Sequence, residues 1–192
     1  MQDPKVMPEK IEALLEANGA SDITVGGYEA MTGGYSRLMA QFEASFTIDG
    51  TSESGIYVLR GDPPEGTAII DTDRTQEFEV LQAVKPHLNT PAARFLDGDG
   101  AHIGTPALIL DYTTAESTLP WIEQNGVRSL PEKLAELAGA IHTIPVDTLP
   151  DSLQRPSSGD PLTDQIAMWK HTAHEHVEAL PIFHYVASWL DT

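Results

Sequence analysis

The 192-residue sequence predicts an α+β fold, in which a five-stranded antiparallel sheet with one inserted helix is followed by a helical region. Residues 38–48 alternate apolar and polar side chains with a period of two, which is typical of a strand. Turn residues divide the first 112 residues into short segments, whereas Leu130, Leu134, Leu137 and Ile141 recur at helical spacing. We therefore expect a sheet-rich lobe over residues 1–112 and a linker with the first helices of a second lobe over residues 113–192.

The first elements follow from turn and capping residues. A helix begins at Pro8, which suits a first helical turn, and ends near Gly19. The two glycine pairs of residues 25–37 predict a strand, a glycine-rich turn and a second strand. After the alternating strand, "DGTSESG" predicts a turn and "GIYVLR" an antiparallel return strand, so three strands in a meander are expected.

Asp73 is a suitable cap for a helix that continues to about Lys85. Residues 91–113 then predict two further strands, which are joined by the turn "DGDG". After a proline-rich linker over residues 149–161, the next segment predicts a further helix.

Composition excludes several function classes. The 29 acidic and 11 basic residues give a formal charge of −18, which repels nucleic acid phosphates and anionic lipid. No apolar run approaches the ~20 residues that span a bilayer, and no cysteine is present for disulfides or thiolate sites. We expect a cytoplasmic protein with no nucleic acid partner and no membrane association.

The segment "YVLRGDPP" ends an apolar strand on one cation, Arg60, before two prolines. On the following helix, "QEFEVLQAV" offers a carboxylate for that cation, either Glu77 or Glu79. An arginine at an exposed strand end is the simplest alternative, because strand ends often carry such residues.

Six segments occur in a characteristic order within residues 11–145: "GGYSR", "YVLRGDPPEG", "QEFEVLQAV", "TPAARFLDGD", "GTPALILDY" and "LAELAGAIHTI". In this order the chain resembles the aminoglycoside phosphotransferase-like family, whose members are small-molecule phosphotransferases with a protein-kinase-like fold. The resemblance implies a kinase-like N-terminal lobe that binds ATP or GTP. Arg60 would take the place of the phosphate-binding lysine, with Glu77 as its partner on the helix. The glycine hairpin over the phosphates would comprise Gly33, Gly34 and Ser36. The hinge that pairs with the base would comprise Leu108, Ile109, Leu110, Asp111 and Tyr112.

The catalytic loop of such kinases, His-x-Asp followed by an Asn, does not occur in the sequence. None of the seven histidines has an aspartate two residues later. The resemblance therefore implies the N-terminal portion of an ATP-dependent enzyme that phosphorylates a small-molecule hydroxyl, truncated before the loop and inactive as this chain. Magnesium is expected only in a full-length enzyme.

Other interpretations remain open. The lobe could be a non-catalytic binding module, or the partial helical lobe could form a homodimer. The cluster around His171 and His174 could chelate a metal ion, although a solvated helix face explains it as well.

Overall fold

The computed structural model describes residues 3–31, 38–62, 73–114, 118–151, 153, 158–176, 185–186 and 188–189. The chain forms two compact units, Met1–Ser152 and Leu153–Thr192. This division does not test the predicted lobe boundary after residue 112, which stays a prediction.

A five-stranded antiparallel sheet dominates the first unit, and the predicted α+β fold is confirmed. The strand order is β1-β2-β3-β5-β4, so β5 lies between β3 and β4. The strands are β1 (Ser21–Ala30), β2 (Leu38–Ile48), β3 (Thr51–Gly61), β4 (Ala93–Asp97) and β5 (Ala107–Asp111).

Five α-helices and two 3-10 turns occur in the described residues. The first two helices pack on the sheet: α1 contacts β1 and β4, and α2 contacts β4 and β5. The helices are α1 (Met7–Ala17), α2 (Arg74–Val84), α3 (Thr118–Asn125), α4 (Leu130–His142) and α5 (Pro161–His176), and the 3-10 turns are Val127–Ser129 and Val146–Thr148.

The hairpin between β2 and β3 is tighter than the sequence suggested. Asp49 and Gly50 have φ angles of 49° and 73°, as a two-residue turn with two left-handed residues requires. Thr51 already pairs with Ile48, so the remainder of "DGTSESG" lies in β3. The predicted turn is therefore corrected to Asp49-Gly50, because the Asp-Gly pair alone reverses the chain.

The main core lies between α1 and one face of the sheet. The alternation of β2 places Ala40, Phe42, Ala44 and Phe46 on this face, where all four are buried. The ring of Phe46 packs against Tyr57 and Phe95, at centroid distances of 5.6 and 5.4 Å. These contacts fix the period-two register along the strand, since a one-residue slip would expose every core side chain.

A smaller core lies on the opposite face, under α2. It contains the buried residues Val58, Ala93, Leu108 and Leu110. The partly buried side chains packed against it include Met39 from β2 and Phe78 and Leu81 from α2. This face carries the candidate site, because residue 60 follows residue 58 by two positions along β3.

The connection between β4 and β5 is longer than the predicted "DGDG" turn. It runs from Gly98 to Pro106, and the carboxylate of Asp97 stabilises it from inside. Asp97 is 3% exposed and accepts hydrogen bonds from the backbone N–H groups of Ile103 at 2.7 Å and His102 at 3.1 Å. The correction has a physical reason: a buried carboxylate organises a wider loop than a tight hairpin would form.

The predicted apolar stripe of α4 is exposed. Leu134, Leu137 and Ile141 are 56, 51 and 47% exposed within their unit. In the described part of the chain, no helix combines the length and apolar character that a membrane crossing requires.

Candidate functional site

Arg60 is the penultimate residue of β3 and lies on the α2 face of the sheet. Its neighbours across the strands are Met39 of β2 and Leu108 of β5. The side chain is 26% exposed, so its guanidinium is partly accessible while its stem packs on apolar surface.

Glu77 reaches this guanidinium from the first turn of α2. The helix begins as predicted, because the Asp73 carboxylate accepts a hydrogen bond from the N–H of Gln76 at 3.0 Å. This start places Glu77 over the sheet, and its Oε1 lies 3.0 Å from Nη1 of Arg60. The predicted ion pair is therefore present, and Glu77 rather than Glu79 supplies its carboxylate.

The carboxylate of Glu77 is shared between two arginines. Its second oxygen, Oε2, accepts a hydrogen bond from Nη1 of Arg74, three residues earlier on α2. Arg74 in turn contacts Asp62, just after β3, with both Nε and Nη2 at 2.6 Å from Oδ1. Asp62, Arg74, Glu77 and Arg60 thus form a row of alternating charges that joins the end of β3 to the first turn of α2.

Sequence reasoning missed Arg74 and Asp62. The side chain of Arg74 is fully buried, although arginine is normally a surface residue. The signal in the sequence was its position three residues before Glu77, a spacing at which two helical side chains meet. Arg60 contacts one oxygen of Glu77, and Arg74 contacts the other.

Charge in this row is balanced, with two guanidiniums and two carboxylates. Each carboxylate lies near a buried or half-buried cation, where the effective dielectric constant is well below that of water. Nε of Arg60 is buried, and in the described part of the chain it has no hydrogen-bond partner. The buried Nε is therefore not available to a ligand, whereas the side chain as a whole is 26% exposed and a guanidinium carries five N–H donors.

The predicted glycine hairpin cannot be compared with the structure. Gly33, Gly34 and Ser36 lie outside the described residues. Strand β1 ends at Ala30, before these residues, and strand β2 begins at Leu38, after them. The next residue of β2, Met39, pairs with Arg60. The role of these three residues stays a prediction.

The predicted hinge is a central strand followed by a strand end. Leu108, Ile109 and Leu110 pair with β3 on one side and with β4 on the other. The N–H of Asp111 donates to the carbonyl of Ala92, and that of Tyr112 donates to Ile56. The N–H groups of Asp111 and Tyr112 are therefore already used within the fold, and the role of residues 108–112 as a hinge stays a prediction.

On the opposite face of the sheet, Arg94 of β4 pairs with carboxylates of β3 and β5. Its guanidinium contacts Glu53 of β3 and lies 3.7 Å from Oδ1 of Asp111. Burial raises the pKa of the nearby Tyr57 hydroxyl, and the negative charge of Glu53 adds to the effect. This cluster lies on the face of the sheet that carries Tyr57 and the main core, whereas Arg60 lies on the opposite face.

The metal hypothesis stays untested, because the side chain of His174 lies outside the described residues. Across the described residues, no group of three or more histidine, aspartate or glutamate side chains could hold a metal ion. His171 is exposed on α5, as a solvated helix face would place it.

Comparisons with known proteins identify the family and the fold of the chain. A model of the phosphotransferase enzyme family matches residues 40–191. A crystal structure of a presumed aminoglycoside phosphotransferase from Ralstonia eutropha JMP134 is similar, with a TM-score of 0.58 and 17% identity over 94% of this chain. No curated protein sequence matches the chain.

At this level of identity, the likeness to the solved structure shows a shared fold. It confirms the predicted kinase-like arrangement of a five-stranded sheet and helices. The chain spans 51% of the length of that solved structure.

Proposed function

This chain belongs to the phosphotransferase enzyme family, and from that premise we propose that it forms the nucleotide-binding lobe of an ATP-dependent kinase. The acceptor would be a hydroxyl group of a small molecule. The proposed phosphate-binding group is the guanidinium of Arg60, oriented by Glu77.

The observation that carries this proposal is the ion pair between Arg60 and Glu77. Phosphoryl transfer relies on positioning and charge stabilisation, and kinases use a strand cation held by a helix carboxylate for the nucleotide phosphates. Arg60 fits that task, because it is permanently charged, 26% exposed and held at 3.0 Å by Glu77. A guanidinium also presents several donors, so one contact with a carboxylate leaves others for phosphate oxygens.

The base would lie against the apolar surface beside Arg60. Val58, Leu108 and Leu110 are buried on this face, and Met39 packs beside them. Leu110 of this surface directly precedes the exit of β5, at residues 111 and 112. Backbone recognition there would accept ATP and GTP alike, since both bases present hydrogen-bonding edges.

We assign no role to a protein-bound magnesium ion in this chain. The described residues contain no cluster suited to it, and the sequence lacks the His-x-Asp loop of related kinases. We therefore expect nucleotide binding without phosphate transfer by this polypeptide. The proposed transfer chemistry belongs to a full-length protein.

The missing loop also favours a second candidate, a non-catalytic kinase-like module that binds a nucleotide or a partner. As this chain, neither candidate would transfer phosphate, and the two differ in whether a full-length protein would do so. Incubation with ATP labelled on the γ-phosphate and a panel of small hydroxyl compounds separates them from an active kinase, because robust transfer by this chain contradicts both.

Calorimetric titration with Mg·ATP tests the site itself. Replacement of Arg60 by methionine keeps an apolar stem and removes the charge. We expect ATP affinity to fall about ten- to a hundredfold, because a hydrogen bond to a charged group contributes about 1.5–3 kcal/mol. Adenosine, which lacks the phosphates, should bind both proteins equally.

Arg128→Met is the matched control. Arg128 lies in an exposed 3-10 turn, so its loss changes the net charge by the same amount far along the chain from the site. Equal ATP affinities for the wild type and Arg60→Met would remove Arg60 from the phosphate site and refute the proposal.

A further inference from the structure

The geometry points to Arg74 as a positioning residue: it holds one oxygen of Glu77, so that Arg60 stays free to bind phosphate. This inference rests on the proposed function of Arg60 as a phosphate-binding group. It assigns a role to a residue that would itself touch no ligand.

Burial excludes direct contact between Arg74 and a nucleotide. Its side chain is 0% exposed, whereas those of Arg60 and Glu77 are 26 and 23% exposed. A buried guanidinium is costly unless carboxylates compensate its charge. Arg74 is therefore held between Asp62 and Glu77, and it can act on a ligand only through them.

The division of the Glu77 oxygens gives this arrangement a consequence for Arg60. With Oε2 bound to Arg74, the closest contact of Arg60 is with Oε1. If Arg74 were absent, both oxygens would face Arg60, and a carboxylate favours a paired, bidentate contact with a guanidinium. Arg60 would then turn toward α2 and lose donors that the phosphates need.

Asp62 fixes the other end of the row. It follows β3 directly, and its backbone N–H donates to the carbonyl of Pro106 at 2.9 Å, just before β5. Arg74 thus links the first turn of α2 to two strands of the sheet through one side chain. The position of Glu77 over Arg60 depends on this link, because a helix end held only by side-chain packing can shift.

The test uses Arg74→Met and Arg74→Lys, with Mg·ATP and adenosine as probes. We expect Arg74→Met to weaken ATP binding about tenfold, within the range of coupling between neighbouring residues, and to leave adenosine binding unchanged. Lysine keeps the charge but can reach fewer of the partner oxygens. The ATP affinity of Arg74→Lys should therefore lie between those of the wild type and Arg74→Met.

A second readout needs no nucleotide. Nε of Arg60 is buried and has no hydrogen-bond partner among the described residues. In Arg74→Met, a bidentate contact with Glu77 would add a hydrogen bond to the guanidinium, so its N–H exchange with solvent should become slower in NMR spectra of ¹⁵N-labelled protein. Lys10→Met is the matched control. Lys10 ties α1 to the β4–β5 connection on the other face of the sheet, with Nζ 2.8 Å from the carbonyl of Ile103.

Each outcome decides between the two proposals. If Arg60→Met does not weaken ATP binding, the proposed function fails. If Arg60→Met weakens it and Arg74→Met does not, only the positioning role of Arg74 fails. An equal loss of adenosine and ATP affinity, an equal effect of Lys10→Met, or an unchanged Arg60 exchange rate would also overturn the positioning role. If Arg74→Met does not fold, Arg74→Lys carries the same comparison.

Discussion

Replacement of Glu77 by glutamine should destabilise the sheet unit strongly, although the two side chains have nearly the same shape. The amide oxygen replaces only one of the two carboxylate oxygens, and the amide nitrogen at the other position faces an arginine as a donor. One of the two contacts with Arg60 and Arg74 is lost, and the remaining contact becomes that of a neutral acceptor.

The magnitude follows from these two contacts. Hydrogen bonds to charged groups contribute about 1.5–3 kcal/mol and neutral ones about 0.5–1.5 kcal/mol. Losing one and weakening the other costs about 3 kcal/mol in the free energy of unfolding. Asp62 still compensates Arg74, so the loss should lie at the lower end of the ~3–5 kcal/mol typical of a buried charge left without a partner.

Urea unfolding followed by far-UV circular dichroism measures this loss. With a slope of ~2 kcal/mol per molar urea, the midpoint should fall by about 1.5 M. Glu136→Gln is the matched control, since Glu136 also pairs with a cation three residues earlier on a helix, Lys133, but both side chains are more than half exposed. We expect no measurable change for that variant. Equal midpoint shifts for the two variants would refute the reasoning, because burial would then not distinguish the pairs.

Three further predictions concern the loops and caps that hold the lobe. Gly100→Ala should cost more stability than Gly50→Ala: both glycines have φ of 73°, but a Cβ at residue 100 would lie 2.6 Å from the backbone of Thr105, whereas one at residue 50 meets open space. Thermal melts of the two variants check this, and equal melting temperatures would contradict it. Asp97→Ala should cost about 3 kcal/mol and accelerate amide exchange at Ile103, because two buried N–H groups lose a charged acceptor; Asp99→Ala, at an exposed turn, should not. Hydrogen bonds from Thr163 and Leu162 lower the pKa of Asp160, so its support of the α5 start is present above the unfolded pKa and is lost as pH falls through the folded value. Helical circular dichroism of Asp160→Asn should therefore depend less on pH in the acid range than that of the wild type, and identical profiles would exclude the carboxylate.

Local sequence signals determined most of the elements of this protein. The alternation of residues 38–48 defined β2, the Asp49-Gly50 pair carried the hairpin signal, and Asp73 marked the start of α2. These signals are short-range, because capping and strand periodicity involve residues within a few positions of one another. The partnership of Arg60 and Glu77 was also foreseen, although through a family resemblance rather than through spacing.

The tertiary structure alone decided how the charges are arranged. Asp62 and Arg74 meet across a segment whose path no local pattern specifies, and the usual preference of arginine for solvent argued against its burial. The order β3-β5-β4 likewise joins strands distant in the chain, and it determines which backbone groups of residues 108–112 remain for a ligand. The sequence determines which side chains are available. Only long-range packing places a buried guanidinium between two carboxylates, because the cost of desolvating the guanidinium is compensated only when all its partners converge.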